Sequence, residues 1–197
     1  IQTDNIRGVF GLRGKLLDRW DWEVAAQRAR SESEQTGSRA QGWVRTDYLQ
    51  QEIDAGRYNP FGGTYNPQST IDAITTSLVR QGTSNLTAYD AQISGELFDL
   101  PAGKVAMATG IEYREEDVSD IPDEQFQRGL IFGTEAVSAE ASRDNWSAFV
   151  EFSVPVVETL EVNIAARYDD YSDFGDTFNP KLSARWEPLE SLAFRAS

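Results

Sequence analysis

LEVNIAARYDDY, residues 160–171, alternates between two kinds of side chain. Leu160, Val162, Ile164, Ala166 and Tyr168 fall on one face; Glu161, Asn163, Ala165, Arg167 and Asp169 fall on the other. Successive side chains of an extended chain point to opposite sides, so the segment predicts a strand with one apolar and one polar face. The same split recurs outward from it. Val105, Met107, Thr109, Ile111 and Tyr113 oppose Ala106, Ala108, Gly110, Glu112 and Arg114. Trp146, Ala148, Val150, Phe152 and Val154 oppose a face carrying Glu151 and Ser153, with Phe149 as the exception. Ile6, Gly8, Phe10, Leu12, Gly14 and Leu16 oppose Arg7, Val9, Gly11, Arg13 and Lys15, and Leu182, Ala184 and Trp186 oppose Lys181, Ser183, Arg185 and Glu187. With residues 20–31, 86–98 and 191–197, the count reaches about eight strands, many longer than the usual 5–6 residues.

The connections alternate in length. Short turns are expected at Asp18-Arg19, Pro101-Ala102-Gly103, around residues 157–159, and at Pro188-Leu189-Glu190; long polar connections lie at 32–85 and 119–144, with a shorter one at 172–178. In an antiparallel meander this puts all short turns at one end and all long loops at the other, an asymmetry that outer-membrane barrels share. The first long connection predicts two helices. Residues 44–55 place Val44, Tyr48, Leu49 and Glu52 on neighbouring turns before Gly56, and residues 69–80 open on Ser69 with Ile71, Ile74 and Leu78 on one face before Gly82. Asn59-Pro60, Gly62-Gly63 and Asn66-Pro67 between them mark a loop.

Composition narrows the function. The 197 residues hold 18 Lys+Arg against 32 Asp+Glu, a net charge of -14 that argues against nucleic acid and against adhesion to anionic lipid through basic residues. With neither histidine nor cysteine, there are no disulfides, thiolate or imidazole metal sites, and no His-based nucleophile pairs. No apolar stretch approaches the roughly 20 residues of a transmembrane helix, which leaves a β-barrel open because its strands alternate. Paired carboxylates such as Asp123-Glu124 and the DDYSDFGD run at 169–176 arise readily among 32 acids, and that run lacks EF-hand spacing. No catalytic residue and no metal ligand is assigned, and no cofactor is expected. Trp20, Trp22 and Trp186 gather toward the short turns and Tyr113, Tyr168 and Tyr171 toward the long loops, as two aromatic girdles would.

Several motifs carry a family resemblance. GIEYREE (110–116), SDIPD (119–123), AFVEFSVPV (148–156), and the run from residue 160 containing RYDDYSDFG, NPK at 179–181 and the Trp186–Pro188 turn before LAFRAS resemble TonB-dependent outer-membrane receptors. GELFDLPAG (95–103) resembles their periplasmic turn and NPFGG (59–63) one of their loops; the likeness is specific over most of 86–197 and looser over 1–80. It implies an all-β fold, an antiparallel up-and-down meander forming part of a transmembrane β-barrel, with short helices in a long extracellular loop. Residues 1–197 would be a partial, interior barrel segment with loops 35–84, 119–144 and 172–178 on the extracellular side. The implied parent is an active importer of a scarce, bulky nutrient (siderophore, cobalamin-like cofactor or oligosaccharide) in a Gram-negative outer membrane. It would partner with membrane lipid, with its ligand, and with the TonB complex through a plug and an N-terminal segment outside this stretch; no nucleic acid is involved. Ligand-facing candidates are Arg128 and Arg143 for a siderophore, and Tyr58, Phe61, Tyr65, Phe126 and Phe132 for a stacked sugar. The rival expectation is a soluble antiparallel β-domain that binds carbohydrate or protein, and a hydrolase is the remainder.

Overall fold

The computed structural model describes residues 1–61, 65–189 and 191–197. Eight strands form one sheet in sequence order. They are β1 (Gln2–Leu16), β2 (Trp20–Gly37), β3 (Leu78–Leu100), β4 (Gly103–Ile121), β5 (Ala139–Val157), β6 (Leu160–Tyr171), β7 (Gly175–Leu189) and β8 (Leu192–Ala196). Helices α1 (Thr46–Asp54) and α2 (Gln68–Ile74) interrupt the β2–β3 connection, and α3 (Glu124–Gln127) follows β4. The meander of hairpins is the all-β architecture that the alternating pattern predicts. No helix among the described residues is long and apolar enough to cross a membrane, which says nothing of crossing by strands.

Register keeps the two faces separate from strand to strand. On the apolar side Val154 pairs Val162, Phe152 pairs Ile164, Val150 pairs Ala166 and Ala148 pairs Tyr168. The same row continues through Ile164↔Leu182 and Tyr168↔Phe178. On the polar side Ser153 pairs Asn163 and Ser147 pairs Asp169, while Asn163 pairs Ser183 and Glu161 pairs Arg185. A slip of one residue would exchange the faces, so the apolar pattern itself holds the register. What distinguishes this sheet from one in a water-soluble sandwich is that its apolar face is uncovered: Ile6, Phe10, Leu12, Ile111, Ile164, Leu182 and Phe194 are all exposed.

Contacts divide the chain into two units, residues 1–6, 30–85 and 117–141, and residues 7–29, 86–116 and 142–197. The second unit holds most of the uncovered apolar face and its aromatics at both ends, except that Tyr171 falls on the polar side of β6, where Arg143 lies over its ring. Trp186 stacks on Phe194 with centroids 5.5 Å apart, and Tyr113 lies 4.6 Å from Trp146 and 6.5 Å from Tyr89. Leu160 pairs with Trp186, and Tyr168 lies eight residues further along β6. At 3.3 Å per residue that separation is about 26 Å along the strand, close to the apolar band of about 25 Å in outer-membrane barrels before any tilt.

Glycines let ring systems lie across the sheet. A Cβ on Gly95 would meet the Arg19 carbonyl oxygen at 2.5 Å and the Trp20 ring at 2.6 Å. One on Gly110 would meet Phe149 at 2.6 Å and the Ala91 carbonyl oxygen at 2.8 Å. Phe149, the one aromatic on the polar side of β5, is explained by this neighbour: its ring covers the bare backbone of Gly110, as aromatics do beside strand glycines.

Several sequence expectations are corrected. Strands β2, β3, β4, β5 and β7 run further into the connections than the alternation indicates, so the loops shrink from 35–84, 119–144 and 172–178 to 38–77, 122–138 and 172–174. The extension of β2 is polar on both sides; SESEQTG at its end has no apolar face to betray it. The second helix starts at Gln68 with Pro67 as its N-cap rather than at Ser69, and it ends at Ile74. Leu78, expected on its apolar face, instead begins β3 and is buried. Gly82 lies inside β3 rather than ending a helix. Pro188 and Leu189 belong to β7 rather than to a turn, and Glu190 and Gly62-Gly63, also expected in turn and loop, lie outside the described residues. The first hairpin turns on Leu17 and Asp18, both at positive φ (53° and 58°). Glycine or asparagine usually fills such positions.

Accessibility predicts where a protease enters. Chymotrypsin is expected to cut after Phe61, Tyr65 and Phe132 before it cuts after Tyr168, although all four side chains are exposed. Tyr168 is held in a strand paired on both sides, and a cleavable segment must leave its ladder to fit a protease cleft. First cuts at Tyr168, read by mass spectrometry of a time course, would contradict this order.

Candidate ligand-facing loops and polar strand face

The 38–77 connection is pinned to the 122–138 connection by backbone. Arg45 forms an isolated bridge with Ile131, and Val44 forms one with Thr75. The Thr46 amide donates to the Leu130 carbonyl and the Phe132 amide to the Val44 carbonyl, both at 2.9 Å. A small core closes beneath them from Ile74, Leu78 and Ile131, each no more than 3% exposed. Trp43 meets Phe126 edge-on at 5.6 Å. The guanidinium of Arg45 lies 4.0 Å over the Tyr48 ring and donates to Asp47 (2.9 Å) and to Gln125 (3.4 Å). That hydrogen bond holds the Asp47 carboxyl below its ordinary range.

Asp123 anchors the other loop. One carboxylate oxygen accepts from the Gln125 amide and the other from the Val79 amide, each at 2.9 Å. Burial pushes this carboxyl up, but the hydrogen bonds from Gln125 and Val79 outweigh it and the net shift is downward. A carboxyl depressed on folding contributes stability above its unfolded pKa and loses it as pH falls through the folded value. Amide protection at Val79 and Gln125 is therefore expected to hold from neutral pH down to the ordinary aspartate range of about 4, and to fail below it. Loss of protection already near pH 6 in hydrogen exchange would contradict the anchor.

The sequence candidates fall into different surroundings. Phe126 is engaged with Trp43. Tyr58 is half-buried, its amide donating to the Glu52 carbonyl. Arg128 pairs with Glu124 at 3.5 Å. Arg143 belongs to the second unit, where it donates to Glu116 at 2.5 Å and lies 5.5 Å over the Tyr171 ring. Phe61, Tyr65 and Phe132 remain free to meet a ligand at 77%, 83% and 66% exposure. A side-chain clamp shapes the first two: the Asn59 amide donates to Asn66 Oδ1 (2.8 Å), Asn66 Nδ2 to the Asn59 carbonyl (3.1 Å), and the Phe61 amide to Asn59 Oδ1 (2.9 Å). Thus three aromatics and the first loop's clamp belong to one unit, and Arg143 belongs to the other.

The polar face of the second unit carries a charge ladder that residue-by-residue scanning left unassigned. Arg114 donates to Glu112 at 2.6 Å and lies 3.7 Å from Glu116, which also binds Arg143. Arg167 lies 4.0 Å from Glu112 and donates to both oxygens of Asp169, at 2.9 and 3.1 Å. Ser147 adds a 2.6 Å hydrogen bond to buried Asp169. Its sequence signal is opposite charge at i and i+2, Glu112-x-Arg114-x-Glu116 and Arg167-x-Asp169, which one strand face must bring together. Replacing Asp169 with Ala removes the acceptor that Ser147 and Arg167 share, leaving Ser147 only Asn145 and Arg167 only the more distant Glu112, and is expected to cost about 1–3 kcal/mol, read as a shifted denaturation midpoint. An unchanged midpoint would show the ladder to be decorative.

A long antiparallel meander with one uncovered apolar face, aromatic rows at both ends of it and a charged opposite face defines a sheet of the transmembrane β-barrel class. The family profile described as TonB dependent receptor-like, beta-barrel matches residues 2–197, and the chain belongs to that family. Among solved structures, a mutant of the ferric enterobactin receptor PfeA from Pseudomonas aeruginosa superposes with a TM-score of 0.62 at 16% identity, over 98% of this chain and 24% of that one. The RagAB peptide transporter superposes with a TM-score of 0.54 at 12% identity, over 92% of this chain and 19% of that one. The chain thus spans about a quarter or less of these structures, and at such identity they show the fold alone. No curated protein matches it. The family consists of receptors and transporters rather than enzymes.

Proposed function

We propose that the chain is a segment of the barrel wall of a TonB-dependent importer in a Gram-negative outer membrane, and that its 38–77 and 122–138 connections face the cell exterior and contact the transported nutrient. The uncovered apolar face carries this proposal, because a sheet that leaves Ile111, Ile164 and Leu182 bare needs a hydrocarbon solvent. Of the structural neighbours, one is a ferric enterobactin receptor and the other a peptide transporter, and at 16% and 12% identity neither fixes the cargo of this chain. In this scheme the loops capture the nutrient, and the charge ladder lines the lumen and meets the plug. Energy comes from TonB acting on a segment outside residues 1–197. A soluble carbohydrate- or protein-binding domain is the rival class. The test is fractionation and uptake in the source cell: the protein should sit in the outer membrane, and deleting its gene or TonB should abolish uptake of the same nutrient. Recovery in the soluble fraction without detergent would refute the proposal.

A further inference from the structure

Residues 43–46 lie in the middle of a short ladder shared by both long connections. On one side Val44 pairs with Thr75: the Arg45 amide donates to the Ile74 carbonyl and the Thr76 amide to the Trp43 carbonyl, both at 2.9 Å. On the other side Arg45 pairs with Ile131, with the Thr46 and Phe132 amides bonded across the pair. Trp43 and Arg45 share a face, as residues two apart in an extended segment do. Both meet α3: Trp43 lies edge-on against Phe126, and Arg45 donates to Gln125. Gln125 Nε2 donates in turn to the Ser77 carbonyl at 3.1 Å, and Asp123 holds the Val79 amide near the start of β3. Each connection therefore supplies hydrogen-bond partners and apolar side chains that the other lacks. The core beneath them is three apolar side chains, Ile74, Leu78 and Ile131, too few to keep either connection closed by itself.

We propose that residues 43–46, 74–79 and 123–132 form one clasp, closed before any nutrient arrives and opening only as a whole. Its place at the mouth of a transporter rests on the importer proposal; its closure does not. Lifting residues 43–46 alone would orphan amides and carbonyls in both neighbouring segments, so a partial opening costs nearly as much as a complete one. The clasp also displays a side chain. The Phe132 amide is fixed to the Val44 carbonyl while its ring is 66% exposed. A nutrient meeting Phe132 meets a surface set in advance, and none of its binding energy goes into ordering these segments. A nutrient too bulky for that surface waits for the whole clasp to open, and the opening rate then limits its capture.

The experiment is hydrogen exchange on the full-length parent protein in phospholipid vesicles, with no nutrient added. The amides of Arg45, Thr46, Thr76 and Phe132 should all be protected, and their protection factors should agree within about threefold, as one shared opening requires. Asp123→Ala, made in the second connection, should speed exchange at Arg45 and Thr76 in the first about tenfold, while Ile164 in β6 is unmoved. A second variant covers the case in which Asp123→Ala does not fold. Arg45 and Ile131 form a pair without hydrogen bonds between them, which brings Cα atoms to about 4.5 Å, within disulfide reach. Residues 1–197 contain no cysteine, so Arg45→Cys with Ile131→Cys adds the one thiol pair of the segment. The pair should oxidise without nutrient, and the oxidised form should exchange at Thr76 and Val79 at least tenfold more slowly than the reduced form. Unprotected amides, acceleration confined to the mutated connection, or a pair that stays reduced would overturn the proposal. The importer reading fails separately: recovery from the soluble fraction would sink it and leave the clasp, whereas free exchange would sink the clasp and leave the importer.

Discussion

Replacing Ile164 with Lys is expected to destabilise the protein by about 2–4 kcal/mol, whereas Asn163→Lys, one residue away, is expected to be nearly neutral. Ile164 sits between Phe152 and Leu182 on the uncovered face, 49% exposed, and Asn163 sits between Ser153 and Ser183 on the other. If the bare face met water, a charge at a half-exposed position would cost little, so this comparison also separates the barrel from a soluble sheet. Denaturant titration of the full-length protein in phospholipid vesicles measures both variants. Equal tolerance at the two positions would show that the faces meet the same solvent.

Gly110→Val is expected to cost about 1–3 kcal/mol through overpacking. A Cβ there is obstructed twice, by a ring that could rotate away and by backbone that could not: Phe149 at 2.6 Å and the Ala91 carbonyl oxygen at 2.8 Å. Phe149→Ala should therefore restore only part of the loss when combined with Gly110→Val. Full restoration in the double variant would place the whole clash on the ring, and no loss in the single variant would mean that β3 and β4 can separate freely.

Much of the membrane-facing part was legible from residues 105–113 and 160–168, because a face solvated by lipid must be apolar at every second position over a fixed length. Beyond that length the constraint lapses. The ends of β2 and β3 are strands by backbone pairing alone, and their side chains obey no alternation that a reader could detect. Leu78 illustrates the ambiguity: Ile71, Ile74 and Leu78 fit helical spacing, yet only the first two belong to a helix. Of the candidate aromatics, exposure separates Phe61, Tyr65 and Phe132 from Phe126, whose partner Trp43 lies in another connection and leaves no local signal. Arg143 is similar, since its partner Glu116 lies 27 residues away in sequence and leaves no local signal either.

The bridge between Arg45 and Ile131 joins segments whose Thr46–Leu130 hydrogen bond spans 84 positions of sequence. The two connections cannot be inherited or engineered separately. Grafting 38–77 alone onto another barrel would strand the Thr46 amide and the Val44 carbonyl without the partners that 122–138 supplies. Recombination that alters specificity in such a protein must then carry both connections together, along with the intervening β3 and β4. The smallest exchangeable module is a block of roughly half the chain, not a single loop.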